Sequence, residues 1–313
     1  MEISPNTTCI GFIGTGVMGA AMAGHLLDAG YRLVVYNRSR SRAEGLLTRG
    51  AVWANTPAAV AQEADVIVTM VGYPQDVESI YLGADGLVAH AKPGALLIDM
   101  TTSSPRLAMR IYEAAKARGV RALDAPVSGG DVGARQATLT IMVGGDEADF
   151  LLAQPVFSRL GKNIVHQGPA GAGQYTKMCN QIALASTMVG VCEAMAYAIR
   201  AGLEPKKVLA SIGTGAAASW PLQNLVPRML ASDFAPGFYV KHFLKDMAIA
   251  IASAEEMGLR LPGVQLAKSL YERLAAAYGD DMGTQALWLV YRDAETKADT
   301  TRPAAEQGGR EGS

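Results

Sequence analysis

The chain has 313 residues, half of them hydrophobic, and a formal net charge of -1 at pH 7. That is length for about two domains of roughly 100–200 residues each. The near-neutral, apolar composition excludes a disordered, collagenous or strongly basic chain and leaves no electrostatic footprint for nucleic acid.

The opening MEISPNTT has no basic segment followed by an apolar run, so no leader is expected there. From Cys9 to His166 short apolar runs alternate with amphipathic ones. CIGFIG, RLVVYN, DVIVTMV, ALLIDM, VRALDAPV and LTIMVGG are rich in β-branched residues and read as strands. Helical patterns such as Met18–Ala29, Arg40–Arg49, Pro57–Glu63 and Pro105–Arg118 lie between them. Continuous apolar strands with crossover helices predict an α/β fold: a doubly wound parallel sheet of Rossmann type, covered on both faces.

The first strand runs into Gly14-Thr15-Gly16-Val17-Met18-Gly19, a G-x-G-x-x-G that opens a helix. In such a motif the first glycine makes the tight turn, the second lets backbone approach a pyrophosphate, and the third packs helix on strand. The phosphates then meet the positive end of the helix. The second strand ends in Tyr36-Asn37-Arg38-Ser39, where an NAD site usually carries Asp or Glu for the ribose hydroxyls. Asn37 has no repelling charge and Arg38 can pair with a phosphate, so NADP is the preferred cofactor and NAD a possible one. Arg40 and Arg42 read as the solvated face of the next helix.

After Gly168 the strand signals stop. A long helix is expected from Gly173 to about Ala201, then a helix from Pro205 and others over Pro221–Leu230, Phe243–Met257 and Gly263–Tyr278. The expected organisation is a dinucleotide-binding domain over 1–167, an all-helical substrate and oligomerisation domain over 168–292, and a polar, disordered tail over 293–313. The apolar run Ile182–Val191 is too short to span a bilayer before Glu193 interrupts it, so a soluble, cytoplasmic protein with no membrane partner is expected. Cys9, Cys179 and Cys192 lie in apolar stretches and read as small core residues; His25, His90, His166 and His242 are too scattered to suggest a metal. The apolar surface of the long helix predicts a homodimer or homotetramer, with Trp220 and Trp288 as interface or core anchors.

Lys177, Asn180 and Gln181 share one face of the long helix. A lone lysine at a helix start is ordinarily a surface residue. Here the flanks are apolar, the Gly171-Ala172-Gly173 entry permits close approach of another surface, and the dinucleotide domain has just ended, so the three side chains read as a site. Ser128, Gly129 and Gly130 follow a strand and could cradle an anionic head, although the same residues also make an ordinary turn.

Four segments, GFIGTGVMGAAMAGHLLDAG, DAPVSGG, GAGQYTKMCNQ and FLKDM, in this order and spacing, resemble the β-hydroxyacid dehydrogenase family over about residues 9–292. The resemblance implies hydride exchange between a nicotinamide cofactor and a small carboxylate-bearing carbonyl substrate: a semialdehyde acid and its 3-hydroxy acid, or glyoxylate and glycolate. It implies Lys177 as general acid and base, Ser128, Gly129 and Gly130 on the substrate carboxylate with help from Asn180, and Lys245, Asp246 and Thr101 beside the cofactor. Members often carry two asparagines where this chain has Asn180-Gln181, which is closer to the semialdehyde reductases. An imine reductase of the same fold and a catalytically silent oligomerisation module are the alternatives.

Overall fold

A computed structural model describes residues 2–292; the expected tail, 293–313, lies outside the described residues. In chain order the elements are β1 (Cys9–Ile13), α1 (Val17–Asp28), β2 (Arg32–Tyr36), α2 (Glu44–Leu47), β3 (Val52–Trp53), α3 (Pro57–Glu63) and β4 (Val66–Thr69). Then come α4 (Pro74–Leu82), α5 (Leu87–His90), β5 (Leu96–Asp99), α6 (Pro105–Lys116), β6 (Arg121–Asp124), β7 (Val127–Ser128) and α7 (Gly130–Gln136). β8 (Leu139–Gly144), α8 (Glu147–Phe157) and β9 (Gly161–Gly168) complete the sheet region. The helices that follow are α9 (Ala172–Arg200), α10 (Pro205–Ile212), α11 (Trp220–Asn224), α12 (Val226–Leu230), α13 (Val240–Glu256) and α14 (Pro262–Tyr278).

The sheet order is β3-β2-β1-β4-β5-β6-β8-β7, with β9 paired to β8. Strands β1 to β6 run parallel to one another; β8 runs antiparallel to β6 and β7 and parallel to β9. Alternation along each strand feeds two cores. Ile10, Phe12, Leu33, Val35, Val66 and Val68 pack with Met22 and Leu26 of α1. Ile13, Val34, Ile67 and Leu97 pack on the opposite face with Val60 of α3, Val77 and Tyr81 of α4 and Ile111 of α6. The parallel sheet is therefore buried on both sides, as its uninterrupted apolar strands require.

β1 lies between β2 and β4, whose crossover helices cover opposite faces. This is the switch point of the sheet, and the carboxyl ends of β1 and β4 open there.

The described residues form two units: the chain up to Ile182 with Lys245–Leu261, and Ala183–Leu244 with the chain from Pro262. The expected boundary near 167 falls where β9 ends and α9 begins. The first unit also keeps the opening turns of α9, because Gly173 lies against backbone and side chain of Asp124. By length and composition alone α9 could cross a membrane, yet Gln174, Lys177 and Gln181 within it are buried.

Two expectations need correction here. The single helix over Pro221–Leu230 is two short ones, α11 and α12, because each carries a proline in its first turn and a proline N cannot donate to the preceding turn. Cys179 is exposed, on the side of α9 away from Lys177, while Cys9 and Cys192 are buried. Trp288 is a core residue; Trp220 is exposed.

Candidate active site

The loop after β1 is shaped by steric necessity. Gly14 has φ +96, a left-handed value that disfavours any side chain, and a Cβ there would strike the Met70 carbonyl at the end of β4. A Cβ on Gly19 would strike the Gly14 carbonyl and press on Phe12. Gly16 differs: an added Cβ meets nothing within 4 Å, so its surface faces open space. α1 begins there with no side-chain cap and no acidic residue in its first turn, leaving its first N–H groups available to an anion. The buried Thr15 hydroxyl has no hydrogen-bond partner among the described residues. Val17 is exposed, and Met18 packs on the core. An open glycine, an uncapped helix and an orphaned hydroxyl fit a dinucleotide phosphate at this loop.

Asn37 serves the loop itself. Its Oδ1 accepts from the Thr15 backbone N–H (3.1 Å) and its Nδ2 donates to the Ser39 carbonyl (3.0 Å), tying the end of β2 to the glycine turn. Arg38, with its side chain 83% exposed, forms an ion pair with Asp76 in the first turn of α4 (3.3 Å). Ser39 precedes a single 3-10 turn, Arg40–Ala43, with no side-chain cap bond.

The loops after β4 and β5 are pinned to each other. Thr101 accepts on its hydroxyl from the Val71 N–H (3.0 Å) and donates its backbone N–H to Asp99 (3.1 Å). The Thr69 hydroxyl also donates to Asp99 (2.8 Å), which leaves Tyr81 as donor to Thr69. Burial pushes the Asp99 carboxyl up to about 6 despite these donors. Lys245 reaches in from α13 and donates to the carbonyls of Gly72 (3.1 Å) and Thr102 (2.8 Å), with Tyr73 beneath its ammonium.

α9 is seated by two residues that the sequence alone did not single out. Asp124, at the end of β6, accepts from the N–H groups of Gly171 (2.7 Å) and Gln174 (2.8 Å), satisfying the helix start internally. Burial pushes its carboxyl up to about 6 against those two donors. Gln174, fully buried, donates to the Thr101 carbonyl (2.7 Å) and accepts from the Ser103 N–H (2.9 Å). It stands three residues before Lys177, hence on the same helix face. Its place between Gly173 and Lys177 was the available signal.

Lys177 is 7% exposed, and its ammonium makes no hydrogen bond among the described residues. Burial lowers its pKa to about 8; nearby Asp246 opposes the shift and Lys245 adds to it. Asp246 is held in turn. Its Oδ2 accepts from Gln181 (2.6 Å), its Oδ1 lies 3.1 Å from Lys245 as an ion contact without hydrogen-bond geometry, and Asn180 donates to Gln181 (2.7 Å). Lys177, Asn180, Gln181, Lys245 and Asp246 are thus one polar group within an apolar setting.

Ser128 pairs opposite Thr140 on β8, and Gly129 (φ +127) and Gly130 (φ +61) turn the chain into α7. Among the described residues no hydrogen bond joins this loop to Lys177 or Asn180. α7 is tied instead to α1: His25 Nε2 donates to the carbonyls of Ala134 (2.9 Å) and Arg135 (3.1 Å), since both partners are acceptors.

The chain is similar to known proteins over nearly all of its described length. Residues 9–168 match the NAD binding domain of 6-phosphogluconate dehydrogenase, and residues 171–291 match the family described as NAD-binding of NADP-dependent 3-hydroxyisobutyrate dehydrogenase. An oxidoreductase of Bacillus subtilis is 58% identical over 90% of this chain and 98% of its own. The NAD-dependent L-serine dehydrogenase of Pseudomonas aeruginosa is 42% identical over 85% of this chain and 91% of its own. The structure of Mycobacterium tuberculosis 3-hydroxyisobutyrate dehydrogenase with L-serine superposes with a TM-score of 0.85 at 32% identity, covering 91% of this chain and 99% of that one.

Proposed function

The chain belongs to the β-hydroxyacid dehydrogenase family of NAD(P)-binding oxidoreductases, and we propose that it interconverts small 3-hydroxy acids and their semialdehydes, or glyoxylate and glycolate, with Lys177 as general acid and base. The observation that carries this reading is a buried ammonium without a hydrogen-bond partner, its pKa lowered to about 8, on the helix face that Gln181 and Asp246 share. A buried ammonium without a hydrogen bond costs free energy that a silent oligomerisation module has no reason to retain.

When bound, the reduced nicotinamide cofactor would supply the hydride for reduction and its oxidised form would accept it in oxidation. Lys177 delivers a proton to the substrate's carbonyl oxygen in one direction and takes it from the hydroxyl in the other. The glycine turn and the Thr15 hydroxyl would hold the pyrophosphate, Arg38 and Ser39 would meet the ribose end, and Asn37 keeps the turn in shape. Thr101 fixes the loops after β4 and β5, and Lys245 and Asp246 fix those loops and the field at Lys177. NADP is the preferred cofactor, on the charge of Arg38. Ser128, Gly129, Gly130 and Asn180 bind the substrate carboxylate. L-serine is itself a 3-hydroxy acid, and one relative named for it together with one structure that holds it bring it into the proposed substrate class. The exposed side chain of Tyr197 on α9 supports a homodimer or homotetramer, and the reading includes a cytoplasmic setting.

The test is turnover of a panel of semialdehydes, glyoxylate and L-serine with each cofactor. Oxidation by the unaltered chain should rise with pH through about 8 as Lys177 loses its proton. Lys177→Ala should remove that limb and cut turnover by about 10²–10⁴ with cofactor affinity kept. Near-normal turnover in the variant would sink the assignment, and activity on cyclic imines but not semialdehydes would favour an imine reductase.

A further inference from the structure

The end of β2 carries no carboxylate, and the side chain that stands where one would read the ribose is committed elsewhere. Asn37 uses Oδ1 on the Thr15 N–H and Nδ2 on the Ser39 carbonyl. A carboxylate nevertheless reaches this end of the sheet from a different element. Asp76 lies in the first turn of α4, and its Oδ2 stands 3.4 Å from where a Cβ on Gly72 would be, beside the open end of β4. Its Oδ1 is 3.3 Å from Arg38 Nη1. The two partners are unequally held: the Arg38 side chain is 83% exposed and Asp76 24%. The arginine is free to turn away, while the carboxylate is anchored by its helix.

We propose that Asp76, contributed by α4 rather than β2, sets the balance between NAD and NADP by competing for Arg38. The proposal rests on the dinucleotide reading of the glycine turn. With NAD, Asp76 accepts from a ribose hydroxyl while Arg38 stays paired to it, so the site loses nothing. With NADP, Arg38 has to leave Asp76 for the 2′-phosphate, and the carboxylate and phosphate then repel each other. One ion pair thus makes the site tolerant of both cofactors and opposes the bias that Arg38 alone would give.

The experiment is calorimetric titration of the full chain with NADP⁺ and with NAD⁺, for the unaltered protein, Asp76→Asn and Arg38→Ala, at low and at moderate salt. Asp76→Asn should tighten NADP⁺ by about two- to fivefold and weaken NAD⁺, the size expected of an exposed ion pair. The NADP⁺ gain should shrink as salt rises. Arg38→Ala should weaken NADP⁺ by about tenfold or more, the loss of a charge-assisted bond, and leave NAD⁺ within about twofold. A change in Asp76→Asn that moves both cofactors equally would mean a general effect at the start of α4 and overturn the proposal. If the unaltered chain bound neither nucleotide, the dinucleotide reading itself would fall.

Discussion

Two helices in the first unit start in the same way and end up with opposite uses. α1 and α9 each follow a strand through a glycine turn, and each presents a helix N-terminus. α1 is uncapped, with an open surface at Gly16. α9 is closed, its first N–H groups taken by Asp124 and its Gln174 locked into the loop after β5. A helix end left unsatisfied is an anion site; a helix end satisfied from within is a fixed mount, so the chemistry moves from its tip to its side, where Lys177 stands. The same dipole is thus available at one helix and spent at the other.

That contrast can be attacked at both ends. The largest effect is expected at the closed end. Asp124→Ala strips two buried N–H groups of their acceptor, which should cost about 2–4 kcal/mol of folding stability in denaturant titration. It should also lower turnover more than cofactor affinity, because the mount of Lys177 loosens. Equal loss of both would show that α9 is not specifically a mount. At the open end, Gly16→Asp places a negative charge where a Cβ meets no atom, so the fold should survive. Affinity for either nucleotide should fall by about tenfold, since an anion now occupies the positive end of α1. Unchanged affinity would mean that phosphates do not use this turn.

The smallest effect is a pH dependence. Asp99 and Asp124 are raised to about 6 in the folded chain from an ordinary 3.8, so the fold binds their protons more tightly than the unfolded chain does. Their contribution to stability is complete below about 4 and is lost as pH rises through about 6. Between pH 7 and pH 5 each should add about 1 kcal/mol, read as a rising denaturation midpoint as the solution is acidified. A stability that falls steadily over that interval would show both carboxyls to be ionised and well compensated.

The open end was legible in the sequence, and the closed end was not. Gly14-x-Gly16-x-x-Gly19 is a local pattern whose meaning is carried by adjacent residues, and six of the nine strands among the described residues are continuous apolar runs that announce themselves. β3, with two residues, and β9, with a largely polar and only partly buried run, have no such signal. The reversal of β8 is a matter of pairing rather than of composition. Asp124 and Gln174 looked like the tail of a strand and a polar residue in a helix, because their partners lie 47 to 73 positions away. Gln181 reads from its spacing as a neighbour of Lys177, but the carboxylate its amide holds, Asp246, lies 65 residues away. Arg38 was visible, but Asp76 beside it was not, since 38 residues separate them. Lys177 was identified from its setting, and the setting is what burial turned into a lowered pKa.

The bond from His25 to the end of α7 has a mechanical meaning. α1 starts at the glycine turn and α7 starts at Gly130, so a clasp joining the two helices gives both turns a common frame. A change in length within the loop leading into α7 would be transmitted to the glycine turn rather than absorbed on the spot. Anyone redesigning the Ser128 loop for a bulkier acid would do better to vary side chains than to insert residues.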